Sequence, residues 1–231
     1  MARTVVLGFH LIVFIIDLYA LYYDFFVIDL GHKGFGGKFK FLTFWNICLQ
    51  TFYFGFSVAN DISKNEESPR FHNKRSPMQR WRDNFHAAIA FPVGMFVVAT
   101  FWGLYAIDRD LVYPKALDKI IPPLLNHVLH STVLPFLLVD KALVYHHYPK
   151  RFFGMLGTLI LACFYLLWIL FIAFYDNFWV YPVLQVLKTH ERAIFMSSCL
   201  LLFAPLYIMG EKISTYFWCK QSTAASRIKR N

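Results

Sequence analysis

Long apolar runs alternate with short polar stretches along the whole chain. Six runs come close to the ~20 residues that a helix needs to cross a bilayer. They cover residues 5–28, 41–59, 87–107, 121–140, 153–175 and 194–217. Between them lie GHKGFGGKFK, a polar loop over 60–85, DRDLVYPKALDK, HHYPKR, and a stretch ending in KTHER; a basic tail, 219–231, follows the last run. The pattern predicts an all-α fold: a polytopic membrane helix bundle with about six transmembrane helices, forming a single transmembrane domain over 1–231. The first run carries no small-residue cleavage site behind it, so it reads as a retained span and not a removed signal peptide.

Polar positions inside the runs carry the candidate chemistry. In the second run Thr43, Asn46, Gln50, Tyr53, Ser57 and Asn60 recur every three or four residues, which puts them on one helical seam. The other positions are mostly Phe, Trp, Leu and Ile, so the seam should face the bundle interior. It reads equally as hydrogen-bonding glue between helices, worth ~0.6 kcal/mol per bond, or as the wall of a polar chamber. The fourth run holds LLNHVLHSTVLPFLL, with Asn126, His127 and His130 on one broad face. On a straight helix His130 lies ~15 Å from the outer end, where a neutral imidazole can accept a proton. A buried histidine is more often a satisfied core residue, and His127 is read that way.

No GxSxG elbow is present, so the usual serine-hydrolase arrangement is absent. Thr43 is a candidate nucleophile if a neighbouring base takes its proton. It begins its span, whereas His130 is deeper in its own; Pro122 and Pro123 would narrow that gap by starting the fourth helix near Leu124. Spacing alone leaves the pairing open. Asp17, mid-span in the first run, needs a partner or a proton. Pro92 with Gly94, and Pro205 with Gly210, read as kinks. Asp140 and Glu211 read as solvated span ends. Lys38 and Lys40 read as interfacial anchors or as attraction for a fatty-acid carboxylate.

Composition sharpens the class. The chain of 231 residues is 58% hydrophobic and 19% aromatic, beyond the ~45–50% apolar content of soluble domains. The net charge of +9 has no soluble module on which to bind nucleic acid. Most of the 23 Lys and Arg fall on the side shared by both termini, which places those termini in the cytoplasm of a multi-pass protein in the plasma membrane or endoplasmic reticulum. Four scattered cysteines, Cys48, Cys163, Cys199 and Cys219, predict neither a disulfide framework nor a zinc site. HVLH and His146–His147 supply too few ligands for a membrane di-iron centre, so no metal or other cofactor is expected.

Several stretches then carry a resemblance. FPVGMFVVATFWGLYAIDRDLVYPKALDKIIPPLLNHVLHSTVLPF (91–136), KFLTF (40–44), HHYPKR (146–151), WVYP (179–182) and the GE pair at 210–211 resemble the androgen-induced gene 1 and androgen-dependent TFPI-regulating protein family. The resemblance covers most of the chain and is weakest in the first span and in the 60–85 loop. It implies a multi-pass threonine hydrolase of fatty acid esters of hydroxy fatty acids. The family's essential Thr of the FLT motif and second His of HxxH match Thr43 and His130. The expected scheme brings spans two and four around a lipid-entered cavity, with Asn46 and Asn126 as candidate oxyanion donors and His127, Tyr53 or a backbone carbonyl orienting His130. The partners implied are a two-chain lipid ester and membrane lipids; oligomeric state is left open. The competing readings are a non-catalytic lipid-binding or signalling membrane protein, and a transporter, for which no inverted repeat speaks.

Overall fold

The computed structural model describes residues 3–63 and 75–228, with side chains as far as Trp218. The middle of the 60–85 loop and the side chains of the 219–231 tail lie outside the described residues. Nine α-helices are described: α1 (Arg3–Phe26), α2 (Leu42–Ile62), α3 (Pro77–Phe85), α4 (Phe91–Ile107), α5 (Pro123–His130), α6 (Val133–Leu143), α7 (Arg151–Tyr175), α8 (Pro182–Val186) and α9 (Thr189–Ile228). No strand occurs among the described residues. Among the described residues, four helical stretches are long and apolar enough to cross a membrane: Arg3–Phe26, Pro77–Ile107, Arg151–Tyr175 and Thr189–Trp218. The polar seam lowers the hydropathy of α2, and the fourth apolar run is divided between α5 and α6.

The third span differs from the expected boundary. A π-helical turn, His86–Ala90, joins α3 to α4 without interrupting the rod. Helix therefore begins at Pro77, well inside the stretch read as a polar loop. Ser76 explains the start: its side chain accepts from the Gln79 N–H while Gln79 accepts from the Ser76 N–H, a reciprocal capping box with Pro77 behind it.

The fourth apolar run departs further, because its helix breaks at Ser131 and Thr132. Both of their N–H groups turn back to the His127 carbonyl, at 2.8 and 3.0 Å. Pro135 is the cause. It has no N–H to give the Ser131 carbonyl, and its ring would clash there in a continuous helix. Within the first turn of a new helix both defects are tolerated, so α6 restarts at Val133. His130 thus becomes the last residue of α5 and not a mid-helix residue.

Burial is inverted relative to a water-soluble protein. Ile12, Ile15, Tyr19, Phe164, Leu167 and Leu201 are exposed on α1, α7 and α9, while Asn46, Gln50, Ser57, Asn60, Asp61 and Asp140 are fully buried. Helix α1 turns Val6, His10, Val13, Asp17 and Ala20 inward, chiefly against α2. Asp140, expected at a solvated span end, is instead enclosed with His10, Tyr53 and His146 around it. Glu211 pairs with the exposed Arg151 at 2.7 Å. Gly94 and Gly210, read as kink markers, are points of close approach. A Cβ on Gly94 would come within 2.7 Å of Leu137, and one on Gly210 within 2.6 Å of Phe91 and of the Tyr148 hydroxyl.

Candidate active site

The segment between α1 and α2 folds over the end of the bundle and sets where α2 begins. Gly31, Gly34, Gly36 and Gly37 all have positive φ, and a Cβ at Gly36 would press on Trp168 at 3.1 Å. Lys38 and Lys40 are buried in this cap. Lys38 pairs with Asp24 at 3.1 Å, and Lys40 donates to the Lys33 carbonyl at 2.6 Å. Burial lowers the pKa of the Lys40 ammonium, with Asp176 acting in the opposite direction.

Below the cap, two tyrosines fix the first turn of α2. Tyr181 Oη accepts the Leu42 N–H at 2.8 Å and lies 2.7 Å from Tyr165 Oη, which donates to the Lys40 carbonyl at 2.9 Å. The N–H groups of Phe44 and Trp45 both reach back to the Phe41 carbonyl. The first four N–H groups of a helix lack helical acceptors. Of these, Thr43's alone is left without a partner among the described residues.

The Thr43 hydroxyl meets the last residue of α5. Oγ1 lies 3.2 Å from Nε2 of His130, 87 positions further along the chain. On the far side of the ring, Nδ1 is 2.9 Å from Asn126 Oδ1 and 3.1 Å from the Asn126 backbone oxygen. A backbone oxygen only accepts, so the ring proton belongs on Nδ1 and the Nε2 lone pair faces the hydroxyl. The imidazole also stacks on Phe101, 3.7 Å between centroids and 15° from parallel. Trp102 Nε1 donates to the His130 carbonyl at 2.9 Å, satisfying a helix-end acceptor. The break after His130 and the early start of α2 bring the two groups to one level, closing the gap in depth that a straight fourth helix would leave.

Thr43 and Phe101 also line a cavity with about 970 Å³ of empty space, including its open mouth. Its walls are α4, α7 and α9, with Val97, Ala162, Ile169, Met196 and Phe203 among them, and α8 closes one end through Val183 and Leu184. The expected cavity between spans two and four is therefore displaced: α2 contributes only its first turn, and α5 presents its histidine from behind Phe101. Apolar walls with only a few polar groups suit small-molecule and lipid sites.

The chain matches the family described as FAR-17a/AIG1-like protein over residues 5–215. It belongs to that family. It is 39% identical to the human androgen-induced gene 1 protein over 200 residues, covering 84% of this chain and 83% of the relative. The androgen-dependent TFPI-regulating protein of Rattus norvegicus is 35% identical over 201 residues, with 85% and 83% covered. A UPF0641 membrane protein of Schizosaccharomyces pombe is 22% identical over 191 residues, with 80% and 78% covered. No solved structure matches the chain. With this family, the apolar exterior and the four long apolar helices make the chain a membrane protein.

The other residues singled out by sequence go to separate places in this FAR-17a/AIG1 fold. Asn126 faces His130 through its oxygen. Asn46 is fully buried one turn along from Thr43 and accepts from Gln50 at 3.0 Å, leaving its Nδ2 without a partner among the described residues. His127 is exposed, bonded to Ser131 Oγ at 3.0 Å and set against Trp102. Tyr53 lies deep on α2 and donates to Asp140 at 2.6 Å, with no bond to His130. Sequence reasoning missed Phe101, Trp102 and Tyr165, three aromatics in a chain rich in them, and read Tyr181 only as an interfacial aromatic beside a span end. One group of potential metal ligands, His86, Asp140 and His146, also converges among the described residues.

Proposed function

We propose that the chain is an integral-membrane lipid ester hydrolase in which Thr43 is the nucleophile and His130 the base. The observation that carries this reading is the 3.2 Å approach of Thr43 Oγ1 to an imidazole nitrogen whose opposite face is held by Asn126, at the edge of an apolar cavity. Nε2 takes the hydroxyl proton as Oγ1 adds to the ester carbonyl. The same proton then passes to the departing alkoxide, leaving an acyl-threonine and a free hydroxy fatty acid. Water, deprotonated by Nε2, attacks the acyl carbonyl; the proton returns to Oγ1 and a fatty acid leaves. The unpartnered Thr43 N–H, at the positive end of α2, is the oxyanion donor this scheme uses.

A long apolar cavity beside one activated hydroxyl fits a substrate with two acyl chains, such as a fatty acid ester of a hydroxy fatty acid, and the FLT and HxxH motifs point the same way. In this reading α2 and the α5–α6 pair also cross the membrane. That makes six spans with both termini cytoplasmic, in the plasma membrane or endoplasmic reticulum. The test is covalent labelling of the purified protein with a fluorophosphonate, followed by peptide mass spectrometry, for the wild type, Thr43→Ala and His130→Ala. Label on Thr43 that is lost in both variants supports the hydrolase. Folded protein that takes no label favours a lipid-binding protein without catalysis.

A further inference from the structure

A second polar centre occupies the other end of α2. Tyr53 stands ten residues past Thr43, about 15 Å along the axis at ~1.5 Å per residue, and its hydroxyl points into a fully buried group of His86, Asp140 and His146. His146 Nε2 lies 2.9 Å from Asp140 Oδ2, and His86 Nε2 lies 3.5 Å from the same oxygen. The potential ligand atoms of these three residues all fall within 4.8 Å of one another. The two imidazoles are stacked, 4.0 Å between centroids and 5° from parallel. None of this takes part in the chemistry proposed for Thr43.

His86 is the anomaly. It has no exposed surface, and neither ring nitrogen has a hydrogen-bond partner among the described residues. Buried polar groups are rarely left so, and each such case calls for an explanation. His86 sits on the π-helical turn between α3 and α4, a distortion that occurs mostly as single turns and often at functional sites. Around it the outer hydrogen bonds are already in place. Asp83 Oδ1 faces His146 Nδ1 at 3.3 Å, and Asp83 is itself held by Arg82 and Arg75. His10 Nε2 lies 2.9 Å from the second oxygen of Asp140, and its Nδ1 is 2.6 Å from Asp61. A carboxylate on the outer nitrogen of a histidine is the usual support of a metal-bound imidazole.

We propose that His86, Asp140 and His146 bind a divalent first-row transition-metal ion, with Zn2+ as the best match. Two neutral imidazoles and a carboxylate are a common protein ligand set for such ions. Tyr53 Oη, 2.6 Å from Asp140 Oδ2 and 3.4 Å from His146 Nε2, supplies a nearby fourth oxygen. On binding, His146 and His86 each turn a lone pair to the ion, which requires the stacked rings to splay slightly. The proton on His146 stays on Nδ1, toward Asp83. The ion ties the α3–α4 rod, α6 and the 144–150 segment together. Its burial, away from the cavity, makes it a structural site, so its loss is felt first as lost stability. Without a metal, His146 is left hydrogen-bonded between Asp83 and Asp140, and neither ring nitrogen of His86 has a hydrogen-bond partner among the described residues.

The experiment is elemental analysis of the full-length protein purified in detergent without chelator, together with Zn2+ titration of chelator-treated protein followed by thermal melting. The proposal expects one metal ion per chain, and a melting temperature that falls on chelation and recovers with Zn2+. His86→Ala should lose the metal and the Zn2+-dependent shift; because that ring bonds nothing, its removal leaves no partner stranded. Asp83→Asn, which removes the carboxylate behind His146 and also the charge partner of Arg82 and Arg75, should in folded protein weaken metal affinity about 10–100-fold. Monodisperse wild-type protein that contains no metal and does not respond to Zn2+ overturns the proposal. So does full metal occupancy retained in folded His86→Ala.

Discussion

The rings of Phe101 and His130 lie face to face, 3.7 Å between centroids and 15° from parallel. Phe101 belongs to α4 and lines the cavity, whereas His130 ends α5, so the stack fixes the imidazole plane relative to the wall against which a substrate would lie. Phe101→Leu keeps most of the apolar volume but lets the ring tilt. Misplacing a catalytic group by ~1 Å can cost about 100-fold. We expect the rate of fluorophosphonate labelling at Thr43 to fall about 10–100-fold, with little change in melting temperature. A labelling rate equal to that of the wild type would show that the stack is packing only.

Asn126 controls the other side of the same ring. Its side-chain oxygen and its backbone oxygen both take the Nδ1 proton. Asn126→Leu removes one acceptor and leaves the other, so the tautomer survives while the orientation loosens; labelling should drop about tenfold, less than in a full loss of alignment. Asn126→Asp keeps an oxygen in the same place and adds a charge that favours the imidazolium formed on proton transfer. Labelling in this variant should match or exceed that of Asn126→Leu at neutral pH. The reverse order would remove Asn126 from the orienting role.

The period of the second apolar run made its buried seam legible, because the polar residues recur every three or four positions and no apolar residue interrupts the stripe. The start of helix at Pro77 was missed: SPMQ is a capping box written out in four residues, but the polar composition of 60–85 makes the whole stretch read as a loop. The effect of Pro135 is passed over in the same way, and the fourth run reads as one straight helix with His130 deep inside it. The walls of the cavity were not legible. Val97, Ala162 and Phe203 face a cavity, while Ile160, Phe164 and Leu201 face outward, and an apolar side chain satisfies either environment. His86, Asp140 and His146 share no short ligand spacing, and only the fold brings them together. HVLH, where a metal motif would be sought, divides into an exposed His127 and a His130 bonded to Thr43.

Tyr181 holds the first N–H of α2 and belongs to the tyrosine pair that secures the Lys40 carbonyl. Tyr181→Phe strands the Leu42 N–H in a buried place. The expected cost in stability is about 1–3 kcal/mol, visible as a lower melting temperature. The first turn of α2 should also loosen, so Thr43 labelling should slow even well below the melting transition. Unchanged melting together with an unchanged labelling rate would mean that a water or another acceptor replaces the phenol at no cost.

Ala162 separates the cavity from the chemistry. It sits in the α7 wall, and its methyl group is one of the smallest side chains lining the space. Ala162→Leu extends a branched chain into that space without touching Thr43, His130 or Asn126. If the cavity holds acyl chains, the added volume should displace part of a long substrate. An overlap of a few methylene groups, at ~0.8 kcal/mol of transfer free energy each, corresponds to roughly a tenfold rise in KM or more. A short-chain ester and a compact fluorophosphonate should react as they do with the wild type, since neither needs the deep end. Measuring hydrolysis of a short and a long two-chain ester side by side in wild type and Ala162→Leu therefore reads the cavity independently of the nucleophile. Equal losses on both esters would mean that the substitution disturbs the site itself. No loss on either would place the acyl chains elsewhere, along the exposed apolar faces of α1 and α9.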